Sequence, residues 1–527
     1  MSFNFVDNFV VDKVIFNNDK KNFADVMRKE GEKTVTLNGA NAYNTLGSSK
    51  VLELFSIGGA LRNRSEAEII AKFKEAFEEN RESALKTLFY IRDIRGGLGE
   101  RRTFRVILKW LGDNEPSIID KNLHLVPVFG RWDDMWCLLN TLSRQRVIDF
   151  AAAQFGFNLE VAKKLAARDY KDTELRGWLS LLGKWLPSEN ASSFETRRYA
   201  TILRKGFHMT AKQYRQNLSF LRKVLNVVEV KMSNGEWDEI NFESVPSCAM
   251  AKYASAFSHH TPYAFDVYVK KVKEEKAKVN ASTLYPSNIL RKVCNFNLFG
   301  MSEIYYDENS KAIYEAQWKH LPNYVKGENN FLVMADVSCS MLDGYGSIYT
   351  SVGLAMYFAE RNKGFYKDLC MAFTDEPSYI NFNKGKTLGE KAKLAFERCK
   401  YNTNLEKVFM KVLKDAVENN IPTAEMPAAI IVISDMEIDA FPHKYRYDFV
   451  NGMEKYFNNY GYKMPKLVLW NVQSRKDTFL TQNKNVLKIS GNSPSAFKYL
   501  CGALEGKTDY DLMMDVLSNE RYKRVYA

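Results

Sequence analysis

The sequence predicts a protein of two parts: an all-α N-terminal half built as a HEAT-like repeat solenoid, and a C-terminal α/β half with a doubly wound, Rossmann-like sheet. With 527 residues, the chain is too long for a single core. Short amphipathic helical patterns fill the first part, and apolar strands alternate with amphipathic helices from about residue 328. We therefore predict an N-terminal arm at 1–40, a basic helical domain at 41–325 and an α/β domain at 326–527.

The C-terminal part alternates between strand and helix patterns. Apolar runs predict strands at 331–335, 367–373, 428–434, 466–471 and 486–489. Amphipathic patterns predict helices at 347–362, 389–399, 404–420, 445–459, 493–504 and 508–519. Such alternation implies a mostly parallel sheet with helices on both faces.

The N-terminal part has helical patterns almost throughout. Ser65 and Glu68 form a predicted capping box before a helix whose Ile69 and Phe73 share one face. Further helices are predicted at 82–94, 102–111, 131–142, 144–154, 159–168, 174–183, 194–206 and 211–226. Breaks between units are predicted at 126–127 and 183–187, and no exact repeated motif occurs, so the predicted solenoid is irregular.

Oxygen-bearing side chains follow two of the predicted strands. Asp336, Ser338 and Ser340 place three oxygen ligands on one loop, a chemistry that Mg²⁺ prefers. Thr403 precedes a predicted helix, and Asp435 follows a second apolar strand. Because the carboxyl ends of parallel strands meet at one edge of a sheet, we expect these five side chains to converge on Mg²⁺ or another divalent cation such as Mn²⁺.

The first of these segments has a second explanation when it is taken alone. Asp336 or a serine could cap the following helix, as in other strand-to-helix turns. Because Thr403 and Asp435 also follow suitable elements, the combined pattern favours a metal site.

Charge favours a polyanionic partner. The formal net charge is +12, and residues 1–325 hold 48 Lys and Arg against 39 Asp and Glu. Seven cysteines without a C-x-x-C pair indicate free thiols and predict a cytoplasmic location. No apolar run approaches the ~20 residues of a membrane helix, so no membrane partner is expected.

A glycine-rich and arginine-rich segment spans residues 92–105 and has two interpretations. Its glycines permit a tight turn whose amides could hold a phosphate beside the five arginines Arg92, Arg95, Arg101, Arg102 and Arg105. The same segment could be a helical hairpin whose arginines pair with the carboxylates of Asp93, Glu100, Asp133 or Asp134. A second basic group lies on predicted helices and consists of Arg197, Arg198, Arg204, Lys205, Arg215, Arg222 and Lys223.

These features resemble known families. The D-x-S-x-S, Thr and Asp pattern resembles the metal-ion-dependent adhesion site (MIDAS) of von Willebrand factor A (vWA) domains. A basic helical module followed by such a domain resembles the Ro ribonucleoprotein (TROVE) architecture. The segments RDIRGGLGERRTFR, VPVFGRWDDMW, VPSCAMAKY and ISDMEID resemble a plant, bacterial and phage family catalogued as a domain of unknown function.

The resemblances imply roles for the site residues. Ser338, Ser340 and Thr403 would contact the cation through their hydroxyls, and Asp336 and Asp435 directly or through water. One coordination position would stay open for an acidic oxygen of a partner. The Ro resemblance implies that the helical repeats could form a solenoid or close into a ring. It also implies binding of structured or misfolded non-coding RNA on the basic helical surface.

Two functions therefore remain in view. The first is a non-catalytic RNA-binding protein, in which Arg and Lys contact phosphates and aromatic rings stack on unpaired bases. The second is a scaffold whose cation captures an acidic residue of a protein partner. An enzyme is disfavoured because Mg²⁺-dependent phosphoryl chemistry needs several carboxylates and a positioned base, although Glu437 and Asp439 keep that alternative open.

Two further points stay open. Residues 1–40 could form an arm that packs on the α/β domain or a flexible tail, because their apolar alternation is irregular. The sequence does not specify the oligomeric state, and a monomer is favoured.

Overall fold

The computed structural model places a mostly helical region before residue 325 and a mixed six-stranded sheet after it. It describes residues 27, 30–168, 170, 172–298, 300–304, 306–325, 330–342, 344–374, 376–398, 403–439 and 449–527. Within those ranges, no helix is both long and apolar enough to cross a bilayer.

The sheet of the C-terminal half has six strands. They are β5 (Phe331–Asp336), β6 (Leu369–Phe373), β7 (Tyr379–Asn381), β8 (Ala429–Ser434), β9 (Lys466–Asn471) and β10 (Leu487–Ser490). Their spatial order is β10-β9-β8-β5-β6-β7. All neighbours are parallel except β6 and β7. The five strands predicted from apolar runs are confirmed, since strands covered on both faces are apolar throughout. The edge strand β7 was not predicted.

Helices cover both faces of this sheet. They are α17 (Ser347–Arg361), α18 (Leu388–Phe396), α19 (Leu405–Glu418), α20 (Phe449–Asn459), α21 (Lys498–Leu504) and α22 (Asp509–Leu517). The end of the helix predicted at 389–399 and the start of the helix predicted at 445–459 lie outside the described residues, at 399–402 and 440–448. In β5, Val333 and Ala335 join a different apolar cluster from Leu332 and Met334, as the two-residue period of a strand requires.

The N-terminal region is a run of short helices. They are α1 (Lys50–Ile57), α2 (Glu66–Glu79), α3 (Arg81–Arg92), α4 (Arg102–Asn114), α5 (Pro116–Asn122), α6 (Val126–Phe129), α7 (Arg144–Ala166), α8 (Thr173–Gly177), α9 (Leu182–Trp185), α10 (Phe194–Gly206), α11 (Ala211–Val224), α12 (Val228–Asn234), α13 (Ser247–His260), α14 (Pro262–Lys273), α15 (Pro286–Val293) and α16 (Glu308–Lys319). The capping box of Ser65 and Glu68 is present at the start of α2.

Several predicted details of this region were wrong. It is not purely helical, because β1 (Lys33–Val35) pairs with β2 (Asn41–Tyr43), and β3 (Cys294–Asn297) pairs with β4 (Gly300–Glu303). The two helices predicted between 144 and 168 are the single helix α7, since glycine within it does not break the periodic apolar face.

Other predicted helix and turn boundaries in this region also differ from the structure. Residues 132–140 form 3₁₀ turns and not an α-helix. The helix predicted at 174–183 is divided into the short helices α8 and α9. Val126 and Pro127 begin α6, because proline fits the first turn of a helix, whose amides have no partner inside the helix.

The two halves share one hydrophobic cluster. It runs from Leu52 and Phe55 of α1 through Phe358 of α17 to Trp470 of β9 and Tyr499 of α21. Gly59 permits this close packing, because a Cβ at that position would lie 2.8 Å from the carbonyl oxygen of Ser490. The helical region and one face of the sheet are therefore packed as a continuous core.

A buried carboxylate fastens residues near the end of the chain to the helical region. Asp93, which follows α3, is fully buried and accepts a hydrogen bond of 2.7 Å from Nη2 of Arg521 and one of 3.0 Å from the hydroxyl of Tyr522. Its carboxylate also accepts the amide N–H of Arg95 at 3.0 Å. Burial and the neighbouring carboxylate of Asp93 raise the pKa of the Tyr522 hydroxyl. These contacts close the fold across more than 400 residues of sequence.

The Asp93 contacts generate a stability prediction. Asp93→Ala should lower the free energy of unfolding by about 2–4 kcal/mol, because it leaves the partly buried guanidinium of Arg521 and the hydroxyl of Tyr522 without their acceptor. Glu520→Ala is the matched control: Glu520 is exposed, so its loss should cost less than about 0.5 kcal/mol. Urea denaturation followed by tryptophan fluorescence measures both, and equal effects would contradict the role assigned to Asp93.

Candidate functional site

Two strand ends meet at the carboxyl edge of the sheet. Asp336 ends β5, and Ser434 and Asp435 end and follow β8. These strands are parallel neighbours, with Ala335 opposite Ile433, so the residues that come next in each chain segment lie side by side. This register creates the candidate metal site.

Local hydrogen bonds shape the first loop. The amide N–H of Ser338 donates to Oδ1 of Asp336 at 2.9 Å, and the hydroxyls of Ser338 and Ser340 lie 3.0 Å apart. Gly346 has φ 90°, a left-handed conformation that glycine adopts at no steric cost, and leads directly into α17. The hydroxyl of Ser338 also hydrogen-bonds to Asp336, so it links this carboxylate to the hydroxyl of Ser340.

The electrostatics of the two aspartates are unfavourable without a counter-charge. Asp336 and Asp435 are each only 1% exposed. Burial, followed by the nearby carboxylate of Asp435, raises the pKa of Asp336 to about 7. Hydrogen bonds to Asp336 from Ser338 and Ser434 oppose this rise. A pair of buried carboxylates with few compensating charges is an arrangement that a bound cation would stabilise.

Thr403 reaches the edge by a different set of contacts. Its amide N–H donates to the carboxylate of Asp439, and its hydroxyl accepts the amide N–H of Asp439 at 3.3 Å. Asp336, Ser338, Ser340 and Asp435 are thus linked by short contacts or by charge, whereas Thr403 joins the loop after β8 four residues beyond Asp435.

Two residues in this site were missed from the sequence. The hydroxyl of Ser434 donates to Oδ2 of Asp336. Nη2 of Arg475 donates to the carbonyl oxygen of Ser340 at 2.6 Å and lies 3.2 Å from Oδ2 of Asp435. Arg475 follows β9, the neighbour of β8, so the rule that loops after parallel strands converge could have identified it.

The backbone after β8 is strained. Met436, directly after Asp435, has φ 64°, which is uncommon for a residue with a side chain. The hydroxyl of Ser434 accepts the amide N–H of Met436 at 3.0 Å and helps to hold this conformation. The loop after β8 therefore has a left-handed residue directly beside Asp435.

Residues of the predicted N-terminal arm pack beside the same loop. The amide N–H of Leu37 donates to the carboxylate of Glu437 at 2.6 Å, and the hydroxyl of Thr36 donates to the carbonyl oxygen of Ile438 at 2.7 Å. Burial raises the pKa of Glu437. Residues 36–38 therefore contact the α/β half, and residues 1–26 and 28–29 lie outside the described residues.

The donor set fits a hard divalent cation. Two carboxylates and the hydroxyls of Ser338 and Ser340 offer oxygen ligands only, as Mg²⁺ and Mn²⁺ prefer. The described part of the chain contains no group of three or more His, Cys, Asp or Glu side chains placed to hold a metal. A cation here would depend on the hydroxyls as well as the carboxylates.

The helical region encloses a second feature, a basic cavity of about 2110 Å³. Its cationic lining side chains are Arg62, Arg92, Arg95, Arg101, Arg102, Arg131, Arg176, Lys184, Arg215, Arg222 and Lys252. The acidic side chains among the lining residues are Glu100, Glu189 and Glu229. Asn492 of the C-terminal half also lines the cavity and accepts a hydrogen bond of 2.7 Å from Arg62.

The arginines of segment 92–105 differ in their contacts, and phosphate binding by this segment stays a prediction. Arg92 and Arg105 pair with Asp134 at 2.7 and 2.8 Å, as expected for a hairpin of paired charges. Arg101 also lies 3.5 Å from Asp133 but remains 47% exposed. Arg95 is exposed and lines the cavity, and its guanidinium donates at 3.3 Å only to a carbonyl oxygen among the contacts of the described residues.

Arg102 behaves like Arg95. Its guanidinium donates to the carbonyl oxygens of Arg62 and Arg64, at 2.8 and 2.7 Å, and it lines the cavity. Arg105 does not line the cavity. The spacing of the glycines therefore predicted the turn, but the pairing of each arginine depends on distant helices.

The second predicted basic group is divided. Arg215 and Arg222 line the cavity, whereas the remaining members, Arg197, Arg198, Arg204, Lys205 and Lys223, do not. Arg204 pairs with Glu189 at 2.7 Å. The helices carrying this group thus present only part of it to the cavity.

Comparisons with known proteins identify uncharacterised relatives. A family model described as a domain of unknown function (DUF2828) matches residues 36–176 and 189–330, and one described as a domain of unknown function (DUF7788) matches residues 330–523. The uncharacterized protein L728 of Acanthamoeba polyphaga mimivirus is 27% identical over 505 residues, which cover 89% of this chain and 85% of that protein.

One solved structure is weakly similar. The Ro (RSR) protein of Deinococcus radiodurans matches with 12% identity and a TM-score of 0.37, over 86% of this chain and 93% of that chain. A TM-score of this size does not establish a shared fold. The predicted resemblance to a family of unknown function is confirmed, and the A-domain identity of the C-terminal half stays a prediction. The first family model covers more than half of the residues, and the chain therefore belongs to the family described as a domain of unknown function (DUF2828).

Proposed function

We propose that this protein binds RNA without catalysing a reaction, and that the RNA lies in the basic cavity of the helical half. The observation that carries the proposal is the lining of the cavity, with eleven Arg and Lys side chains against three Glu among its described residues. Phosphate contacts by Arg and Lys supply most of the affinity of such interactions.

Charge pairing within the protein reduces this excess but does not remove it. Arg92, Arg101 and Arg131 contact Asp133 or Asp134. The described residues place no carboxylate in ion-pair contact with the six lining cations Arg95, Arg102, Arg176, Lys184, Arg222 and Lys252. These six contact carbonyl or hydroxyl oxygens or aromatic rings, so their charge remains available to phosphates.

Aromatic rings stand among the cations that line the cavity. Trp185 lines the cavity with the guanidinium of Arg131 4.0 Å from its ring centroid, and Tyr253 lies beside Lys252. Both rings are half-buried. Rings placed next to phosphate-binding cations can stack on unpaired bases, which favours RNA over a simple polyanion.

The same proposal assigns a repeat class to the helical half, a bound metal to the C-terminal half and a kind of RNA to the cavity. The helical half would be an irregular HEAT-like or TROVE-like repeat, and the C-terminal half a vWA-like domain that binds Mg²⁺ or Mn²⁺ through Asp336, Ser338, Ser340, Thr403 and Asp435. The bound ion would supply a positive charge and an open coordination position. The RNA would be a structured or misfolded non-coding RNA, as the Ro resemblance implies.

A second candidate function is a metal-dependent scaffold. It is favoured by the two buried carboxylates and the paired hydroxyls at the sheet edge. A cation bound by these groups would have a coordination position open for one more oxygen. An Asp or Glu of a protein partner would supply that oxygen. The two functions use different halves, so each can be tested separately.

The RNA proposal predicts a charge-specific loss of affinity. A variant with Arg95→Ala, Arg176→Ala and Lys252→Ala should bind a fluorescein-labelled stem-loop RNA with single-stranded ends at least about tenfold more weakly, because three phosphate contacts are lost. The slope of log K against log salt concentration should become shallower by about 2–3. Fluorescence anisotropy across a salt series measures both quantities.

A control of equal charge separates the cavity from the general surface. Lys205→Ala, Lys212→Ala and Lys223→Ala together remove three exposed cations that lie outside the cavity lining. This variant should keep nearly the affinity of the unaltered protein. An equal loss in both variants would exclude the cavity as the binding site, and no binding by the unaltered protein would exclude the function.

The metal proposal predicts a ligand-dependent stability. Mg²⁺ should raise the melting temperature relative to EDTA, since a ligand at a hundred times its Kd adds about 2.7 kcal/mol to the free energy of unfolding. Asp336→Ala should abolish the increase, whereas Asp515→Asn, an exposed position on α22, should preserve it. Differential scanning fluorimetry provides the comparison, and an unaltered melting temperature in the unsubstituted protein would argue against a site.

A further inference from the structure

Arg475 lies between the two segments that carry the predicted metal ligands. Its Nη2 atom contacts the carbonyl oxygen of Ser340 at 2.6 Å on the first loop and Oδ2 of Asp435 at 3.2 Å on the loop after β8. We propose that Arg475 is a built-in competitor of the divalent cation, and that its guanidinium withdraws from Asp435 when the cation binds. This inference rests on the proposed metal site.

The guanidinium of Arg475 places a positive charge in direct contact with the buried carboxylate of Asp435. Asp435 is buried, and its Oδ2 atom is the one that faces Arg475. In the absence of a metal, this contact partly compensates a carboxylate that also faces Asp336. Arg475 thus provides, with a single charge, the compensation that a divalent cation would provide with two.

The divalent cation and the guanidinium of Arg475 would compete for the same position. A cation coordinated by the hydroxyl of Ser340 and by Asp435 must lie between the first loop and the loop after β8, where Arg475 now links them. Mg²⁺ approaches its oxygen ligands to 2.0–2.1 Å, considerably closer than the 3.2 Å contact of the guanidinium. A cation and a guanidinium that both contact Asp435 repel each other, so binding of the cation disfavours the contact of Arg475.

Only the side chain of Arg475 needs to move. The preceding loop is anchored, because the amide N–H of Ser474 donates to the carbonyl oxygen of Ala60 at 3.0 Å and the amide N–H of Gln473 donates to Asn471 at 2.9 Å. The side chain of Arg475 is 27% exposed, and the next residue, Lys476, is exposed. A long flexible side chain at this position reaches solvent by rotation about its own bonds.

A purely structural role for Arg475 leads to the opposite expectation. If the guanidinium served to orient Asp435 for the metal, its removal would weaken metal binding. If it competes, its removal strengthens metal binding. The sign of the change therefore distinguishes the two roles.

The experiment is a titration of the full chain with Mn²⁺, in which electron paramagnetic resonance reports the free ion. Arg475→Ala should lower the Kd for Mn²⁺ by roughly tenfold, as expected for the removal of a competing charge. Arg475→Gln, which keeps a polar side chain without the charge, should also lower the Kd. This second variant gives the answer if the alanine variant does not fold.

Two controls isolate the contact from the general field. Arg475→Lys retains the charge and should leave the Kd close to that of the unaltered protein. Lys476→Ala removes the neighbouring exposed charge and should change the Kd by less than about twofold, as screening at the surface predicts.

The outcomes separate this inference from the proposal beneath it. Binding by the unaltered protein, with equal or weaker binding by both the alanine and glutamine variants, would overturn competition and leave the metal site standing. Binding only by the variants that lack the charge would support competition strongly. No Mn²⁺ binding by any variant would overturn the metal site and the competition together.

Discussion

The parallel register of β5 and β8 is the constraint on which the candidate site depends. With Ala335 opposite Ile433, the two strands end together, and each delivers an aspartate to the same edge of the sheet. A shift of one residue would turn these side chains to the other face. The apolar side chains on both faces of the strands oppose such a shift, so the packing of the core also determines the geometry of the site.

Bringing two carboxylates together inside the protein has an electrostatic cost. The structure meets it in part with the hydroxyl of Ser434, the amide of Ser338 and the guanidinium of Arg475. The strained backbone of Met436 lies directly after Asp435, in the loop that follows β8. Buried carboxylates and strained backbone both lower the stability of the folded state. Their occurrence together at one edge of the sheet is typical of a binding site.

The sequence predicted those features whose signals are local. Long apolar runs identified the strands of the central sheet, because strands buried on both faces need apolar side chains throughout. The three-residue strand β7 and the polar hairpin of β3 and β4 lack such a signal. Helix boundaries near Pro127 were wrong because proline can begin a helix as well as end one.

The site was only partly predictable for the same reason. The spacing of Asp336, Ser338 and Ser340 is a local pattern, whereas the position of Arg475 depends on the packing of a third loop. Likewise, the composition predicted a basic helical region but not which arginines face the cavity. Arg92 and Arg105 pair with Asp134, a contact that exists only after α3, α4 and the 3₁₀ turns at 132–140 have assembled.

A segment near each end of the described chain contacts the opposite half of the protein. Residues 36–43 hydrogen-bond to the loops of the sheet, through Glu437 and Phe479, and residues 521–526 hydrogen-bond to the helical region, through Asp93 and Asn122. Each half therefore completes the surface of the other through contacts that are distant from the chain connection between them. Two fragments divided there would have the shared core and both sets of clasping contacts to reassemble by, whereas either fragment alone would expose apolar surface and aggregate.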